Sequence, residues 1–267
     1  MRIAVLGSGS SGNALAITSA DSSILVDAGF GFPTLSGRAD AVGLDLQGVT
    51  ALLLTHEHND HAAGAATVAK RTNCQVYASP GTLAALKTPL TKARTVPLPV
   101  DGAMRVGPFD VATCQTSHDA AQPLALVISE QQTGASIGIA YDIGRPTASL
   151  ISFLDKLSCL ILEANHDDGL LRTGPYPPVL QDRIAGPRGH LSNRAAADLA
   201  ADLYHPGLRT VVLAHMSDRC NRPDLALATV GEVLERKGFR GRLLAASQDE
   251  PLECFEIGPT QYALDVF

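Results

Sequence analysis

Tryptophan is absent from the 267 residues, and aromatic residues make up only 4% of them. The chain therefore lacks an obvious set of stacking surfaces for single-stranded bases. The 21 basic residues are outnumbered by 27 acidic ones, and the formal net charge of -6 argues against broad, unspecific adhesion to nucleic acid or anionic membranes. A local basic path remains compatible with this balance.

Paired cysteines and long apolar runs are missing as well. The five cysteines are odd in number, widely spaced and without a Cys-x-x-Cys motif, which is typical of free thiols in a reducing cytoplasm. The apolar run Ile3 to Leu6, before the first glycine, is too short for a signal-peptide core or a membrane span. We therefore expect a cytoplasmic protein with no membrane partner.

The segment from His56 to His61 places three histidines and one aspartate within six residues, directly after the apolar run 51–54. Imidazole and carboxylate groups are the ligands that hold divalent metals such as zinc. His56 and His58 are two residues apart, so on an extended backbone both side chains point the same way and can bind one ion. Asp60 and His61 follow a turn and suit a second ion. This loop predicts the start of a two-metal site.

Three further candidate ligands, His118, Asp142 and His215, stand at the ends of predicted strands. Each alone is ordinary, since an Asp before Gly usually forms a turn, but together they complete a ligand set. A bridging carboxylate and a bridging hydroxide would screen the two cations, which in turn lower the pKa of the bound water. Cys220, five residues after His215, is expected to be an incidental thiol. The predicted assignment is one ion on His56, His58 and His118, a second on Asp60, His61 and His215, and Asp142 between them.

Asp27 ends another predicted strand and is separated from Gly29 by one residue. Its expected role is to accept an N–H from a metal-binding imidazole and so to orient that ligand. The glycine-rich turn 7–13 has the spacing Gly-x-Gly-x-x-Gly, but it leads into an extended segment instead of a helix. We therefore do not expect NAD binding there.

The coarse pattern is rich in strands in the first half and alternates helix with strand in the second. No linker or low-complexity tract separates the halves, so we predict one α+β domain over residues 1–267, with sheets inside and helices outside. The predicted strands are 2–6, 14–18, 23–27, 51–54, 75–78, 109–116, 124–129, 136–141, 158–163, 211–214 and 242–246, and the predicted helices are 62–70, 147–156, 193–204 and 224–237.

The pattern His-x-His-x-Asp-His, followed by His118, Asp142 and His215, resembles the metallo-β-lactamase fold hydrolases. The resemblance covers nearly the whole chain and implies an αββα sandwich, in which two mixed β-sheets are flanked by helices and the metals lie at one edge. It also implies two divalent metal ions, with zinc expected and manganese as the alternative. The motifs at 10–13, 117–123, 163–167, 174–177 and 189–193 are similar to the YycJ (WalJ) type, a relative of tRNA 3′-processing ribonucleases and PhnP-type phosphodiesterases.

This resemblance implies a metal-dependent hydrolase of ester bonds that acts on phosphodiesters through a metal-bridging hydroxide. Its relatives include 5′-3′ exonucleases acting on DNA. Asp142 disfavours lactamases that carry Cys at that position, but glyoxalase II-type thioester or lactone hydrolases also carry Asp and stay open as an alternative. A second alternative is a non-catalytic, metal-dependent binding or regulatory protein. The choice among DNA, RNA and a small phosphodiester is open, as is the oligomeric state, with a homodimer among the options.

Cleavage of a phosphodiester expels a poor leaving group, and a positioned acid contributes ~10²–10⁴-fold to such a step. The ribonuclease relatives have a Glu and His pair after the bridging Asp, and the order of Glu163 and His190 matches it. A carboxylate beside an imidazole keeps the imidazole protonated. Four arginines against one acid in residues 172–194 suit a phosphate-binding rim. The predicted catalytic residues are Asp60, Glu163 and His190, and the predicted substrate contacts are His166, Arg188, Ser192 and Asn193.

Overall fold

Two seven-stranded sheets form the centre of the computed structural model, which describes residues 1–259 except Asp21, Pro89 and Lys92. The strands are β1 (Arg2–Gly7), β2 (Ala14–Ser19), β3 (Ser22–Val26), β4 (Val49–Leu53), β5 (Gln75–Ala78), β6 (Thr95–Pro97), β7 (Ala103–Val106), β8 (Phe109–Gln115), β9 (Leu124–Glu130), β10 (Ser136–Ala140), β11 (Cys159–Glu163), β12 (Thr210–Ala214), β13 (Arg242–Ala245) and β14 (Phe255–Glu256). The helices are α1 (Phe32–Ala41), α2 (Asn59–Ala62), α3 (Ala65–Thr72), α4 (Pro80–Ala85), α5 (Ala148–Phe153), α6 (Asp168–Thr173), α7 (Pro178–Ile184), α8 (Asn193–Asp202) and α9 (Pro223–Arg236), with a 3₁₀ turn at Leu46–Gly48.

The two sheets share one arrangement of strand directions. Sheet one has the order β14-β1-β2-β3-β4-β5-β6, and sheet two has the order β13-β12-β11-β10-β9-β8-β7. Sheet one is antiparallel from β14 to β3 and parallel from β3 to β6. Sheet two is antiparallel from β7 to β10 and parallel from β10 to β13. Each sheet therefore changes from antiparallel to parallel pairing at one strand, which is β3 in sheet one and β10 in sheet two. Asp27 follows β3, and Asp142 follows β10.

The parallel strands are apolar runs because both of their faces are covered. Strands β10, β11 and β12 are buried at every residue, including the charged Glu163 at the end of β11. Strand β8, near the edge of sheet two, instead alternates between buried and more accessible side chains over much of its length. The carboxyl ends of the buried strands open into the loops that carry the candidate ligands.

Apolar side chains fill the space between the sheets and also the space beneath the helices. Ile17 and Ile24 of sheet one share a buried cluster with Ile128 and Ile137 of sheet two. The outer face of sheet one packs against α1 and α3, and that of sheet two against α5, α8 and α9. This arrangement confirms the predicted αββα sandwich of two mixed sheets flanked by helices. No helix in the described part of the chain is long and apolar enough to cross a membrane.

The predicted strands are present with slightly shifted ends, but two helix predictions were wrong in extent. The predicted helix 62–70 is divided into α2 and α3 at Gly64, whose N–H donates to Ala28 O. A Cβ at Gly64 would lie 2.2 Å from Phe30 O, so only glycine fits at this close approach of the two backbones. The predicted helix 147–156 ends at Phe153, and Lys156 has a positive φ of 61°. The end of the predicted single domain, residues 260–267, lies outside the described residues.

Candidate metal centre and active site

Three candidate site residues stand at strand ends in a left-handed backbone conformation: Asp27, Asp142 and His215, with φ of 61°, 58° and 53°. Side chains with a Cβ rarely adopt this conformation, although Asp tolerates it better than most. Such residues cost of the order of 1–3 kcal/mol each and persist where the surroundings fix them, commonly at functional sites. The turn at each position brings the side chain to the same edge of the two sheets.

His56, His58 and His118 bring one ring nitrogen each to a common point. These three nitrogens lie within 4.8 Å of one another, and His58 Nδ1 is 3.3 Å from His118 Nε2. The opposite nitrogen of His118 lies 3.1 Å from Gly189 O, and that of His56 lies 3.1 Å from Thr55 Oγ1. Both contacts fix the rings so that the Nε2 atoms face the cluster.

The Nε2 atom of His56 is buried and has no hydrogen-bond partner among the described residues. A buried polar atom without a partner is costly, and a metal ion bound at this nitrogen would remove that cost. Burial lowers the pKa of His56 well below its ordinary value, which keeps the imidazole neutral, the form that binds metals. The donor set at this point therefore fits a cation.

Asp60, His61 and His215 form a second cluster beside the first. Asp60 Oδ2 lies 3.2 Å from His61 Nε2 and 3.2 Å from His215 Nε2. Asp142 lies between the clusters. Its Oδ2 is 2.9 Å from His61 Nε2, and its Oδ1 is 3.6 Å both from His215 Nε2 and from His118 Nε2 of the first cluster. The structure thus brings together all seven predicted metal ligands. Cys220 lies outside every ligand cluster found in the described residues.

The carboxylates of the second cluster are ionised despite their burial. Burial alone would raise the pKa of Asp142, but His215 and His61 hold it well below the usual range. Burial likewise opposes ionisation of Asp60, whose pKa is lowered by the same two imidazoles. The centre therefore offers two negative carboxylates to a cation.

Asp27 accepts four hydrogen bonds beneath the second cluster. Its Oδ1 accepts from the Thr55 N–H at 2.8 Å, and its Oδ2 accepts from Thr55 Oγ1 at 2.8 Å and from the Tyr141 hydroxyl at 3.0 Å. His61 Nδ1 lies 2.8 Å from the same Oδ2. When His61 donates its Nδ1–H to Asp27, its Nε2 faces the second cluster. Asp27 is thus positioned as a group that orients the His61 ligand. Burial, and then Asp27, raise the pKa of Tyr141 well above its ordinary value, so the phenol stays a donor.

Glu163 and His190, distant in sequence, meet at the other side of the centre. His190 Nδ1 lies 2.7 Å from Glu163 Oε1, which also faces His215 Nδ1 at 3.2 Å, while Oε2 accepts from the Ile143 and Leu191 N–H groups. Burial would raise the pKa of Glu163, but His190 and His215 together lower that pKa to about 2. Burial lowers and the adjoining Glu163 raises the pKa of His190, with a net increase. The Glu163 carboxylate therefore favours the protonated form of the His190 imidazole.

A cavity of about 180 Å³ opens over the two clusters, with His190 in its wall. Sequence reasoning missed part of this wall. Asp119 lies 3.4 Å from His118 Nε2 and accepts from Arg183 Nε at 2.9 Å, and its place next to His118 was the available signal. The wall residues beyond the ligands and His190 are Ser10, Asp119, Leu180, Arg183, Ile184 and Gly189.

The four predicted substrate contacts do not line this cavity. Ser192 accepts a backbone N–H as the N-cap of α8, and the Asn193 amide pairs with that of Asn221 at 2.9 Å in both directions. Arg188 is exposed and points its guanidinium back to His118 O at 3.4 Å. His166 is buried, and its Nδ1 has no partner among the described residues.

Comparison with known proteins gives the family of this centre. The sequence-family model described as the β-lactamase superfamily domain matches residues 22–216 of this chain. The chain belongs to the β-lactamase superfamily and has the metallo-β-lactamase fold. Exodeoxyribonuclease YycJ of Bacillus anthracis is 30% identical over 242 residues, which cover 90% of this chain and 91% of the relative. Exodeoxyribonuclease WalJ of Streptococcus pneumoniae is 26% identical over 239 residues, 86% of each chain.

Solved structures agree on this superfamily fold. YhfI of Bacillus subtilis, a metallo-β-lactamase fold protein, superposes with a TM-score of 0.71 at 19% identity and covers 94% of this chain and 99% of its own. The short form of human tRNase Z has a TM-score of 0.64 at 17% identity, with 96% and 99% coverage. The family resemblance predicted from the motifs is confirmed, and so is the fold.

Proposed function

We propose that this protein is a dinuclear-metal-dependent phosphodiesterase that degrades DNA as a 5′-3′ exonuclease. The observation that carries the proposal is the pair of ligand clusters joined by Asp142 beneath one cavity, with His190, paired with Glu163, in the cavity wall. The two relatives named exodeoxyribonucleases match this chain along most of its length and support the choice of DNA.

The residues present fit two divalent cations, because each cluster offers three ligand atoms and Asp142 is within reach of both. Zinc suits the imidazole-rich first cluster, and manganese is the alternative. Such cations, when bound, supply a coordinated water of lowered pKa and polarise the phosphoryl oxygens. The ligands in this proposal are His56, His58 and His118 for one ion, Asp60, His61 and His215 for the other, and Asp142 for both.

The chain's own residues orient the water and move the protons. Asp60 lines the cavity with 22% of its side chain exposed, and in this proposal it accepts a hydrogen bond from the attacking water. His190 has Nδ1 engaged by Glu163, so the proton on its other nitrogen is available to the leaving oxygen. Glu163 acts through His190, because burial removes the carboxylate from contact with substrate.

Activity of the metal-loaded protein on a panel of esters tests the proposal. The panel contains DNA labelled at the 5′ or the 3′ end, RNA, bis-p-nitrophenyl phosphate, a cyclic phosphate and S-lactoylglutathione, with His58→Ala as the control that removes a ligand. We expect stepwise release from the 5′ end of DNA and none by the control. Turnover of the thioester alone would support a glyoxalase II-type hydrolase. The absence of turnover on every substrate of the panel would support a non-catalytic metal-dependent binding protein.

A further inference from the structure

We propose that the glycine-rich turn between β1 and β2 binds a substrate phosphate beside the metal centre, and that Ser10 makes the contact. This inference rests on the proposed phosphodiesterase function and deepens it. Ser10 is exposed in the wall of the cavity that also contains His58, Asp60 and His215. It is the one residue of the turn that lines this cavity.

The hydrogen-bond donors of Ser10 are available to a ligand. On one side, the Gly9 N–H donates to Asn13 Oδ1 at 3.0 Å, and on the other the Ser11 N–H donates to Gln248 Oε1 at 2.7 Å. Between them, neither the amide nor the hydroxyl of Ser10 has a hydrogen-bond partner among the residues that the structure describes. The two neighbouring backbone N–H groups thus bond to side chains of the protein, whereas Ser10 presents one adjacent N–H and O–H pair at the cavity.

Hydrogen bonds tie the turn to the metal-ligand loops. Asn13 donates its N–H to Asp60 O at 2.7 Å and accepts from Ser8 Oγ at 2.8 Å. Ser8 Oγ in turn accepts from the His215 N–H at 2.8 Å. Asn13 and Ser8 are both buried. Because the turn is bonded to the backbone of two candidate ligands, Ser10 has a fixed position relative to the ions they would hold.

Gln248 holds the turn from its outer side. Its Oε1 accepts from the Ser11 N–H, and its Nε2 donates to Gly12 O at 3.1 Å. It also packs against Gly9, where a Cβ would lie 2.5 Å from Gln248 Oε1. Arg38 donates to Gln248 O at 2.8 Å and so anchors the segment that carries this side chain. Gln248 is a positioning residue that acts through the turn.

The chemistry of this donor pair selects a phosphate oxygen. Hydroxyl and backbone N–H groups commonly contact phosphates of nucleic acids, and such contacts position the chain without reading its sequence. The carboxylate of Asp60 lines the same cavity and would repel an anion, so we expect a phosphate to bind at Ser10 only when cations held by the two clusters neutralise that carboxylate. The expected substrate class is a nucleic-acid phosphodiester of any sequence.

Ser10→Ala tests the contact, and Ser11→Ala is the matched control because Ser11 is exposed in the same turn but does not line the cavity. With both metals loaded, Ser10→Ala should raise KM for an oligonucleotide by about tenfold, the value of one hydrogen bond to a charged group. Ser11→Ala should stay within about twofold of the wild type, and Ser10→Thr, which keeps the hydroxyl, should recover most of the loss. Metal content should be the same in all variants.

Gln248→Ala tests the positioning role through a double-mutant cycle with Ser10→Ala. If Gln248 acts by placing Ser10, its removal should raise KM more than it lowers kcat, and the effect should be much smaller when Ser10 is already Ala. Additive effects would make Gln248 independent of the contact.

The wild-type protein separates the two proposals. If it cleaves phosphodiesters and Ser10→Ala matches Ser11→Ala, the phosphate contact is refuted while the proposed function stands. If Ser10→Ala loses metal, the turn supports the metal centre and the contact is refuted in that case too. Absence of phosphodiester turnover in the wild type would overturn the proposed function, and this inference with it.

Discussion

Asp27→Ala should be among the most destabilising single changes in the chain. The carboxylate is fully buried and accepts from the Thr55 N–H, the Thr55 hydroxyl, the Tyr141 hydroxyl and His61 Nδ1. Its removal leaves several buried donors unpaired at ~1–3 kcal/mol each, and some rotation of the Thr55 hydroxyl recovers part of that cost. We expect a loss of roughly 3–6 kcal/mol, a large share of the ~5–15 kcal/mol that stabilises a typical domain.

Urea unfolding of the metal-free protein, followed by far-UV circular dichroism, measures this loss. Tyr141→Phe is the matched control, because it removes one of the donors and leaves the carboxylate in place, at a cost of ~0.5–1.5 kcal/mol. In the presence of metal, Asp27→Ala should also lower the affinity of the second cluster by ~10–100-fold, since His61 loses the group that orients it. A loss of stability no larger than that of Tyr141→Phe would refute the reasoning, as would unchanged metal affinity.

Three further outcomes are expected. His56→Ala should reduce the metal content of the reconstituted protein from two equivalents towards one, measured by elemental analysis, and a retained pair would contradict the ligand assignment. His190→Ala should keep both metals but lose ~10²–10⁴-fold on DNA, whereas activated nitrophenyl esters should lose much less; Glu163→Gln should give a weaker form of the same difference, and equal losses would point to binding or folding. Chelation of the metals should lower the melting temperature, since metal at 100 times its Kd adds about 2.7 kcal/mol, and an unchanged value would contradict metal binding to the folded protein.

The metal ligands could be predicted from sequence because their signals are local. His56 and His58 follow a buried strand at alternate positions, and the structure places both in the first cluster. The later ligands each stand at the end of a strand whose apolar run is easily recognised, as with His215 after β12. Once the strands are known, the edge of the sandwich at which these residues meet follows from the strand directions.

The cavity wall and the substrate contacts could not be predicted in the same way. Short helices such as α7 hold too few residues for a clear apolar period, so Leu180 and Ile184 carry no visible signal. Asn193 belongs to a conspicuous motif, yet its amide is used to pair with Asn221, a contact between residues 28 apart in the chain. Polar residues in a motif can therefore serve the fold instead of the substrate, and only the three-dimensional contacts distinguish the two uses.

The pairing of β14 with β1 has a consequence for how the protein is made. Arg2 pairs with Glu256, so one side of sheet one is built from strands at the two ends of the described chain, with β14 at the edge and β1 next to it. Contacts between residues so far apart form slowly, and a chain emerging from the ribosome cannot complete this edge until Glu256 has been synthesised. The metal ligands, from position 56 to position 215, also span most of that interval. Refolding from urea should therefore restore sheet structure and metal binding in one slow phase, and metal binding at full stoichiometry before the sheets form would contradict this order.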